Sequence, residues 1–97
     1  MKLSVVIPVY NEEKTIQEIV RRVQDVAIDK EVIVVNDGSD DGTSQVLNDM
    51  TDNYDNLVLI HQARNQGKGA ALREGFAHVS GEIVLIQDAD LEYDPKD

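Results

Sequence analysis

Four short runs of β-branched and other apolar residues recur along the chain and alternate with stretches of helical periodicity. The runs are Leu3–Val9, Glu31–Asn36, Leu57–His61 and Glu82–Gln87. Their apolar residues are continuous rather than alternating, which is typical of strands covered on both faces in a parallel sheet. The pattern predicts an α/β fold, because parallel strands need a crossover segment between them.

Each stretch between the runs carries apolar residues at the spacing of an amphipathic helix. These residues are Ile16, Ile19, Val20 and Val23 in the first stretch, Val46, Leu47 and Met50 in the second, and Ala71, Leu72, Phe76 and Val79 in the third. Gly81 is expected to end the third helix. The order β-α-β-α-β-α-β predicts an open, parallel, Rossmann-like sheet with right-handed crossovers, and the commonest strand order for it is 3-2-1-4.

The acidic composition limits which ligands the chain can bind unaided. The 97 residues include 9 Lys and Arg, 19 Asp and Glu and no Cys, so the formal net charge is −10. The lack of cysteine excludes a disulfide scaffold and thiolate metal sites. The negative charge disfavours nucleic acid as a partner, because nucleic-acid binding needs a basic surface. A phosphate-bearing ligand would need a cation between it and the protein.

The longest apolar runs contain four residues: Val32–Val35, Leu57–Ile60 and Ile83–Ile86. A bilayer requires roughly 20. We therefore expect a cytoplasmic protein, with any membrane association made by regions beyond this sequence.

Polar residues stand at the ends of three predicted strands. They are Pro8–Glu12 after the first, Asn36–Ser39 after the second and Asp88–Asp90 after the fourth. In an open parallel sheet, ligands bind beyond the carboxyl ends of the strands, where the strand order reverses. In the order 3-2-1-4 this point lies between the first and fourth strands. The three segments are therefore predicted to meet at one crevice.

Asp88 and Asp90 lie two residues apart, and Glu92 continues the same parity. In an extended segment this spacing sends the side chains to one side. Carboxylate oxygens are the ligands that Mg²⁺ and Mn²⁺ prefer. Acidic triplets also arise by chance in so acidic a chain, but the position at the end of the fourth strand favours a metal site.

The residues at the other two strand ends allow two roles each. Asp37 could accept hydrogen bonds from a ribose or a base, or bond nearby backbone amides as turn aspartates commonly do. Tyr10 could stack on a base and Glu12 could accept from it; the alternatives are a packed ring and a first-turn helix charge. Pro8 lacks an N–H group, so strand pairing is expected to stop there and open the chain towards the crevice.

The stretch Arg64–Ala71 is basic, contains glycine and begins the third helix. Glycine lets a backbone approach a ligand closely, and helix N-termini attract anions. The stretch is not a P-loop, because Gly69 rather than Ser or Thr follows Lys68. Arg64 and Lys68 are predicted either to contact the ligand or to lie in solvent.

Four segments follow one another in the chain: Val5–Glu12, Val34–Thr43, Arg64–Ala70 and Asp88–Leu91. Together they resemble family 2 glycosyltransferases of the GT-A fold. The run Asp88–Pro95 is most similar to the dolichyl- or polyprenyl-phosphate mannosyltransferases and glucosyltransferases. One departure is Asn36, where the family often has a second Asp before the Asp-Gly-Ser motif.

The resemblance implies an inverting transfer of a hexose from GDP-mannose or UDP-glucose to a dolichyl or polyprenyl phosphate. It also implies a role for each matching residue. The base and ribose would be held by Pro8, Tyr10, Glu12, Val35 and Asp37, the donor would lie near Arg64 and Lys68, the nucleotide sugar would contact Asp88 and Ala89, and Mg²⁺ or Mn²⁺ would be bound by the catalytic Asp90 with Glu92.

Enzymes of this family need a longer chain. We therefore expect residues 1–97 to be the donor-binding half of an incomplete GT-A domain, inactive alone, whose open sheet edge associates with another copy. Two other functions stay open: a metal-dependent nucleotidyltransferase and a non-catalytic nucleotide-binding or assembly module. The first usually has a basic glycine-rich loop after strand 1, where this chain has Asn11-Glu12-Glu13.

Overall fold

Strands and helices alternate along the chain in the computed structural model, which describes residues 2–89. The strands are β1 (Leu3–Val9), β2 (Lys30–Asp37), β3 (Leu57–Gln62) and β4 (Ile83–Ile86), and the helices are α1 (Ile16–Gln24), α2 (Thr43–Thr51) and α3 (Lys68–Phe76). Every strand pair is parallel and the order is β3-β2-β1-β4. The predicted fold class and strand order are confirmed.

Helices cover both faces of the central strands, because neighbouring side chains of a strand point to opposite faces. One face of β1 and β2 packs against α1 and α2 in the main core, which contains Val5, Ile7, Val9, Ile16, Ile19, Val20, Val32, Val34, Leu47, Met50, Leu57 and Ala89. The other face packs against α3 through Ile33, Val35 and Ala71. The sheet is therefore the middle of three layers.

Helix α3 lies very close to the sheet at Gly75. A Cβ atom at this position would lie 2.5 Å from Val6 Cγ1 and 3.3 Å from Val35 Cγ2. A larger residue would push the helix away from β1 and β2. The glycine thus allows α3 to pack tightly enough for its N-terminus to border the cleft described below.

Strand β1 pairs with its two neighbours over different lengths. Its pairing with β2 continues to Val9, whereas its pairing with β4 ends where Val6 meets Ile86. The Gln87 N–H donates the last bond, 3.0 Å to the Val6 carbonyl oxygen. The prediction that pairing stops at Pro8 is therefore right on the β4 side. It is wrong on the β2 side, where Pro8 lies in register with Val35.

Two expectations about the ends of elements are wrong. Strand β2 includes Asp37, which was placed beyond it, and α3 ends at Phe76 rather than at Gly81. After Phe76 the backbone hydrogen bonds span three residues instead of the four of an α-helix, as in the bond from the His78 N–H to the Gly75 carbonyl oxygen. These tighter turns lead the chain to the Gly81 N–H, which donates to the Ser4 hydroxyl at 2.8 Å.

The expectation that all strands are covered on both faces is wrong for β4. Its four residues, Ile83–Ile86, are each 42–50% exposed. Its one pairing partner within residues 2–89 is β1, and α3 packs over β1 and β2 instead. No helix within the same residues has the length and apolar character needed to cross a membrane.

Candidate functional site

A cleft of about 510 Å³ opens beyond the carboxyl ends of β1, β2 and β4, beside the N-terminus of α3. This volume is within the usual range for small-molecule sites. The cleft lies where β1 stops pairing with β4 and so at the predicted reversal of strand order. It is lined by Pro8, Val9, Tyr10, Glu12, Asp37, Asn65, Gly67, Lys68, Ala71, Asp88 and Ala89.

Asp37 forms the back of the cleft and is only 3% exposed. Its carboxylate accepts hydrogen bonds from the backbone N–H groups of Gln66 at 2.8 Å and Gly67 at 2.9 Å, and from the Asn65 amide at 3.2 Å. Both carboxylate oxygens are used. Asp37 therefore bonds backbone amides, as its alternative role predicted, but they belong to the distant loop that leads into α3 and not to its own turn.

Gly38 follows Asp37 and lies against the same loop. Its φ is +68°, in the left-handed region that favours glycine, and a Cβ atom would collide with the backbone of Arg64 and Asn65. The turn after β2 and the loop before α3 are thus in direct backbone contact. The Arg64 side chain is exposed and does not line the cleft.

The loop after β1 is fixed to the loop after β2. The Asn11 N–H donates to the Ser39 hydroxyl at 3.0 Å, while the Asn11 side chain forms two hydrogen bonds with Asp40. Asn11 has a φ of +54°, a conformation that Asn tolerates better than most residues. The Glu12 N–H donates to the Thr43 hydroxyl at 2.9 Å. These bonds orient the segment that carries Tyr10 and Glu12.

Asp41 supports this arrangement from the N-terminus of α2. Thr43 donates to it from both its hydroxyl group, at 2.5 Å, and its backbone N–H, at 2.9 Å. Burial raises the pKa of Asp41, but these hydrogen bonds outweigh burial and hold the pKa below its ordinary value. Because the Thr43 hydroxyl donates its hydrogen bond to Asp41, its oxygen is oriented to accept the hydrogen bond from the Glu12 backbone N–H.

Asp88 and Lys68 face each other across the cleft mouth. Lys68 Nζ lies 2.6 Å from Asp88 Oδ1, and the two side chains are 59% and 62% exposed. An ion pair this exposed is weak, because water and salt screen it. The pair links the first residue of α3 to the end of β4 without burying either charge.

Among the described residues, three carboxylates line the cleft, those of Glu12, Asp37 and Asp88, and Asp88 is the one at the β4 end. The Asp88 carboxylate already has a cationic group, the Lys68 ammonium, at its Oδ1, and it is open to solvent. Within residues 2–89 there is no group of three or more side chains that could hold a metal. Asp88 therefore fits the role of one Mg²⁺ or Mn²⁺ ligand, and the predicted ligands Asp90 and Glu92 lie outside the described residues.

Seven of the predicted site residues line the cleft together: Pro8, Tyr10, Glu12, Asp37, Lys68, Asp88 and Ala89. Tyr10 is 43% exposed, so its ring is open to a ligand. The Val35 side chain lies elsewhere, because it is fully buried in the α3 face of the core.

Val9, Asn65, Gly67 and Ala71 also line the cleft. They lie in the segments Pro8–Glu12 and Arg64–Ala71, which were predicted to border the ligand, but no individual role was predicted for them. Two further residues, Thr15 and Thr43, were not predicted as site residues, although their hydroxyl groups form hydrogen bonds with Glu12. No sequence pattern distinguishes these from other threonines near helix starts.

Comparison with known proteins shows which family the chain is similar to. Mannosyltransferase PcManGT from Pyrobaculum calidifontis, solved in complex with GDP-Man and Mn²⁺, superposes with a TM-score of 0.84 at 32% identity, over 91% of this chain and 27% of that one. A dolichyl-phosphate beta-glucosyltransferase, ALG5A, from Trichomonas vaginalis is 41% identical over 97 residues. That alignment covers 91% of this chain and 30% of the relative.

An undecaprenyl-phosphate 4-deoxy-4-formamido-L-arabinose transferase from Salmonella choleraesuis is 36% identical, covering 99% of this chain and 31% of that protein. The chain thus spans about a third of the length of the curated relatives it matches. The sequence model described as glycosyl transferase family 2 matches residues 4–97. With a GT-A-like sheet and a cleft at its switch point, this chain belongs to glycosyl transferase family 2.

Proposed function

We propose that the full-length protein transfers a hexose from a nucleotide diphosphate sugar to a dolichyl or polyprenyl phosphate, and that this chain binds the donor. The observation that carries the proposal is the meeting of seven predicted donor-site residues in one cleft at the switch point. The acceptor class is supported by the two relatives, whose names specify lipid phosphates. The donor class is supported by the GDP-Man complex of the structural neighbour.

The proposed orientation of the donor follows from the chemistry of the cleft walls. Tyr10 offers an exposed ring for stacking on a base, and Glu12 offers a carboxylate that can accept from a base N–H. The diphosphate would lie towards Lys68, where the N-terminus of α3 adds its partial positive charge. The donor thus extends from the β1 side of the cleft to the β4 side.

Asp88 would hold a divalent cation or the sugar at the β4 end, together with Asp90 and Glu92. When bound, the cation would neutralise the departing diphosphate as a Lewis acid. Lys68 would leave Asp88 and contribute its charge to the same phosphates. The negative charge of the chain is then no obstacle to an anionic donor.

The acceptor supplies its own nucleophile in this proposal. A phosphate oxygen of the lipid would form a bond to the anomeric carbon while the bond from that carbon to the nucleotide diphosphate breaks. One such displacement inverts the anomeric configuration. Because the acceptor phosphate is ionised at neutral pH, no side chain needs to remove a proton from it. Because the acceptor is a lipid, we further propose that the protein acts at a membrane surface, on the cytoplasmic side that the sequence analysis expects.

A transfer assay with the full-length protein tests this function. Purified protein, Mn²⁺ and a polyprenyl phosphate are incubated with labelled GDP-mannose or UDP-glucose, and label in the lipid fraction is measured. We expect transfer from one donor and its loss by at least about tenfold in Asp88→Asn. Asp52→Asn, on the exposed C-cap of α2, is the matched control and should keep its activity. Absence of transfer from every nucleotide sugar by folded protein would contradict the proposal.

A further inference from the structure

Thr15 connects the two ends of the cleft through one hydroxyl group. Its Oγ1 lies 3.0 Å from Glu12 Oε2 and 2.9 Å from the carbonyl oxygen of Ala89, which is 74 residues away in sequence. Glu12 belongs to the loop after β1, and Ala89 is the residue between Asp88 and Asp90. The hydroxyl carries a single proton, so its two acceptors share or compete for one hydrogen bond.

Thr15 does not play the usual role of a threonine at its position. It is the N-cap of α1, where a Thr oxygen normally accepts a hydrogen bond from the first turn. Here no side-chain capping bond is formed. The hydroxyl is directed instead to the two cleft segments, so its orientation is not explained by helix capping.

The Ala89 end of this connection is otherwise held by packing. The Ala89 side chain is 4% exposed and belongs to the main core. Its methyl group thus fixes one side of the peptide, and Thr15 holds the carbonyl oxygen. Together they set the direction in which the backbone presents the Asp88 carboxylate to the cleft mouth.

We propose that Thr15 is a positioning residue that couples occupation of the nucleobase end of the cleft, at Glu12, to cation binding at the Asp88 end. The inference rests on the proposed function. When a base N–H donates to the Glu12 carboxylate, the hydrogen bond from Thr15 to that carboxylate weakens, and the hydrogen bond from Thr15 to the Ala89 carbonyl oxygen strengthens. The backbone that carries Asp88 is then held more firmly, which favours binding of the cation there.

The coupling predicts a measurable effect of a ligand that cannot touch the cation. Guanosine and uridine contain the base and ribose but no phosphate, so any change they cause in Mn²⁺ affinity passes through the protein. We expect one of them, at saturation, to raise the Mn²⁺ affinity of the full-length protein about fivefold, near the lower end of usual coupling. Electron paramagnetic resonance of free Mn²⁺ measures this affinity.

Three variants isolate the hydroxyl. Thr15→Val keeps the shape of the side chain without its proton and should abolish the effect of the nucleoside, whereas Thr15→Ser should retain it. Thr51→Val is the matched control, because the Thr51 hydroxyl donates to a carbonyl oxygen within α2, that of Leu47 at 2.8 Å. It should respond to the nucleoside as the wild type does. Thermal melting of each variant verifies folding.

The wild-type measurement decides the proposal even if Thr15→Val fails to fold. If GDP or UDP binds in the presence of Mn²⁺ but neither nucleoside changes the Mn²⁺ affinity, coupling through Thr15 is wrong and the proposed function stands. An unchanged effect of the nucleoside on Mn²⁺ affinity in folded Thr15→Val would likewise overturn coupling through Thr15 and leave the proposed function standing. If no nucleotide or nucleoside binds at all, both proposals fall.

Discussion

Two aspartates on opposite sides of the cleft are held in opposite ways. Asp37, at the end of β2, is buried and accepts hydrogen bonds from three consecutive residues of the loop before α3. Asp88, just beyond β4, is mostly exposed and has one partner, Lys68, in an ion pair open to solvent. Both were predicted to contact the donor, yet their surroundings differ in burial and in the number of bonds.

The difference indicates a division of work within the cleft. A buried carboxylate with all its oxygens bonded is costly to remove and keeps one geometry. An exposed carboxylate with one weak partner can exchange that partner for a ligand at little cost. The β2 side is therefore the rigid wall of the cleft, and the β4 side is the part free to exchange Lys68 for a cation or donor.

The largest effect is expected at Asp37. Asp37→Ala removes the acceptor of the Gln66 and Gly67 N–H groups and should lower the free energy of unfolding by about 3 kcal/mol. Urea denaturation of the full-length protein measures this change. The exposed Asp52→Ala is the control, with an expected change below about 0.5 kcal/mol. An Asp37→Ala protein as stable as that control would show that burial does not distinguish the two aspartates.

Glu31 extends the comparison to a carboxylate far from the cleft, at the amino-terminal edge of the sheet. Burial raises the pKa of Glu31, but hydrogen bonds from Ser4 and Ser80 outweigh it and lower the pKa to about 2 from an ordinary 4.5. The folded state therefore gains stability from ionised Glu31 above pH 4.5, and this gain is lost as the pH falls towards 2.

Glu31→Gln should consequently reduce the dependence of stability on pH between 4.5 and 2. Glu31→Ala should cost about 1 kcal/mol at pH 7, because the buried Ser4 hydroxyl loses its acceptor. Denaturation curves at several pH values measure both effects. Asp25→Asn, an exposed carboxylate after α1, serves as the control. A pH profile of Glu31→Gln that superposes on the wild type would refute the structural role of Glu31.

At the exposed side of the cleft the effects on stability should be small. We expect Asp88→Asn and Lys68→Met each to change the free energy of unfolding by less than about 0.5 kcal/mol, since the pair is screened by solvent. The same denaturation assay applies. A loss as large as that in Asp37→Ala would mean that the Lys68–Asp88 pair is structural and not exchangeable.

The smallest expected effect concerns competition for Asp88. In Lys68→Met the ammonium no longer occupies the carboxylate, so Mn²⁺ affinity of the nucleotide-free protein should rise about threefold, in line with the strength of exposed ion pairs. Electron paramagnetic resonance of Mn²⁺ provides the measurement, with Lys14→Met, an exposed residue before α1, as the control. A fall in affinity would show that Lys68 does not compete with the cation.

The sequence predicted the sheet because β1 and β2 are continuous apolar runs, and it located the cleft because ligand sites follow strand ends. The failures share a cause. The exposure of β4 and the end of α3 at Phe76 both depend on which segments pack together, and local patterns do not contain that information. The hydrogen-bond partners of Asp37 could not be predicted for the same reason, since Gln66 and Gly67 are 29 and 30 residues away from it in sequence.

Thr15 is the clearest example of a residue whose role near the cleft could not be predicted from the sequence. A threonine before an amphipathic helix predicts an N-cap, and the structure places the residue at that position without the capping bond. Its contact with Ala89 joins the start of α1 to the segment after β4. Such a contact is visible only once the order β3-β2-β1-β4 has brought these ends together.

Calorimetric titration of GDP and UDP into the full-length protein, with Mn²⁺ and again with EDTA, decides whether the cleft is a metal-dependent nucleotide site. We expect one of the nucleotides to bind with Mn²⁺ and to bind at least about tenfold more weakly with EDTA or in Asp88→Asn. Asp52→Asn should bind as the wild type does. Failure of folded protein to bind either nucleotide, or binding that neither EDTA nor Asp88→Asn affects, would contradict this assignment of the cleft.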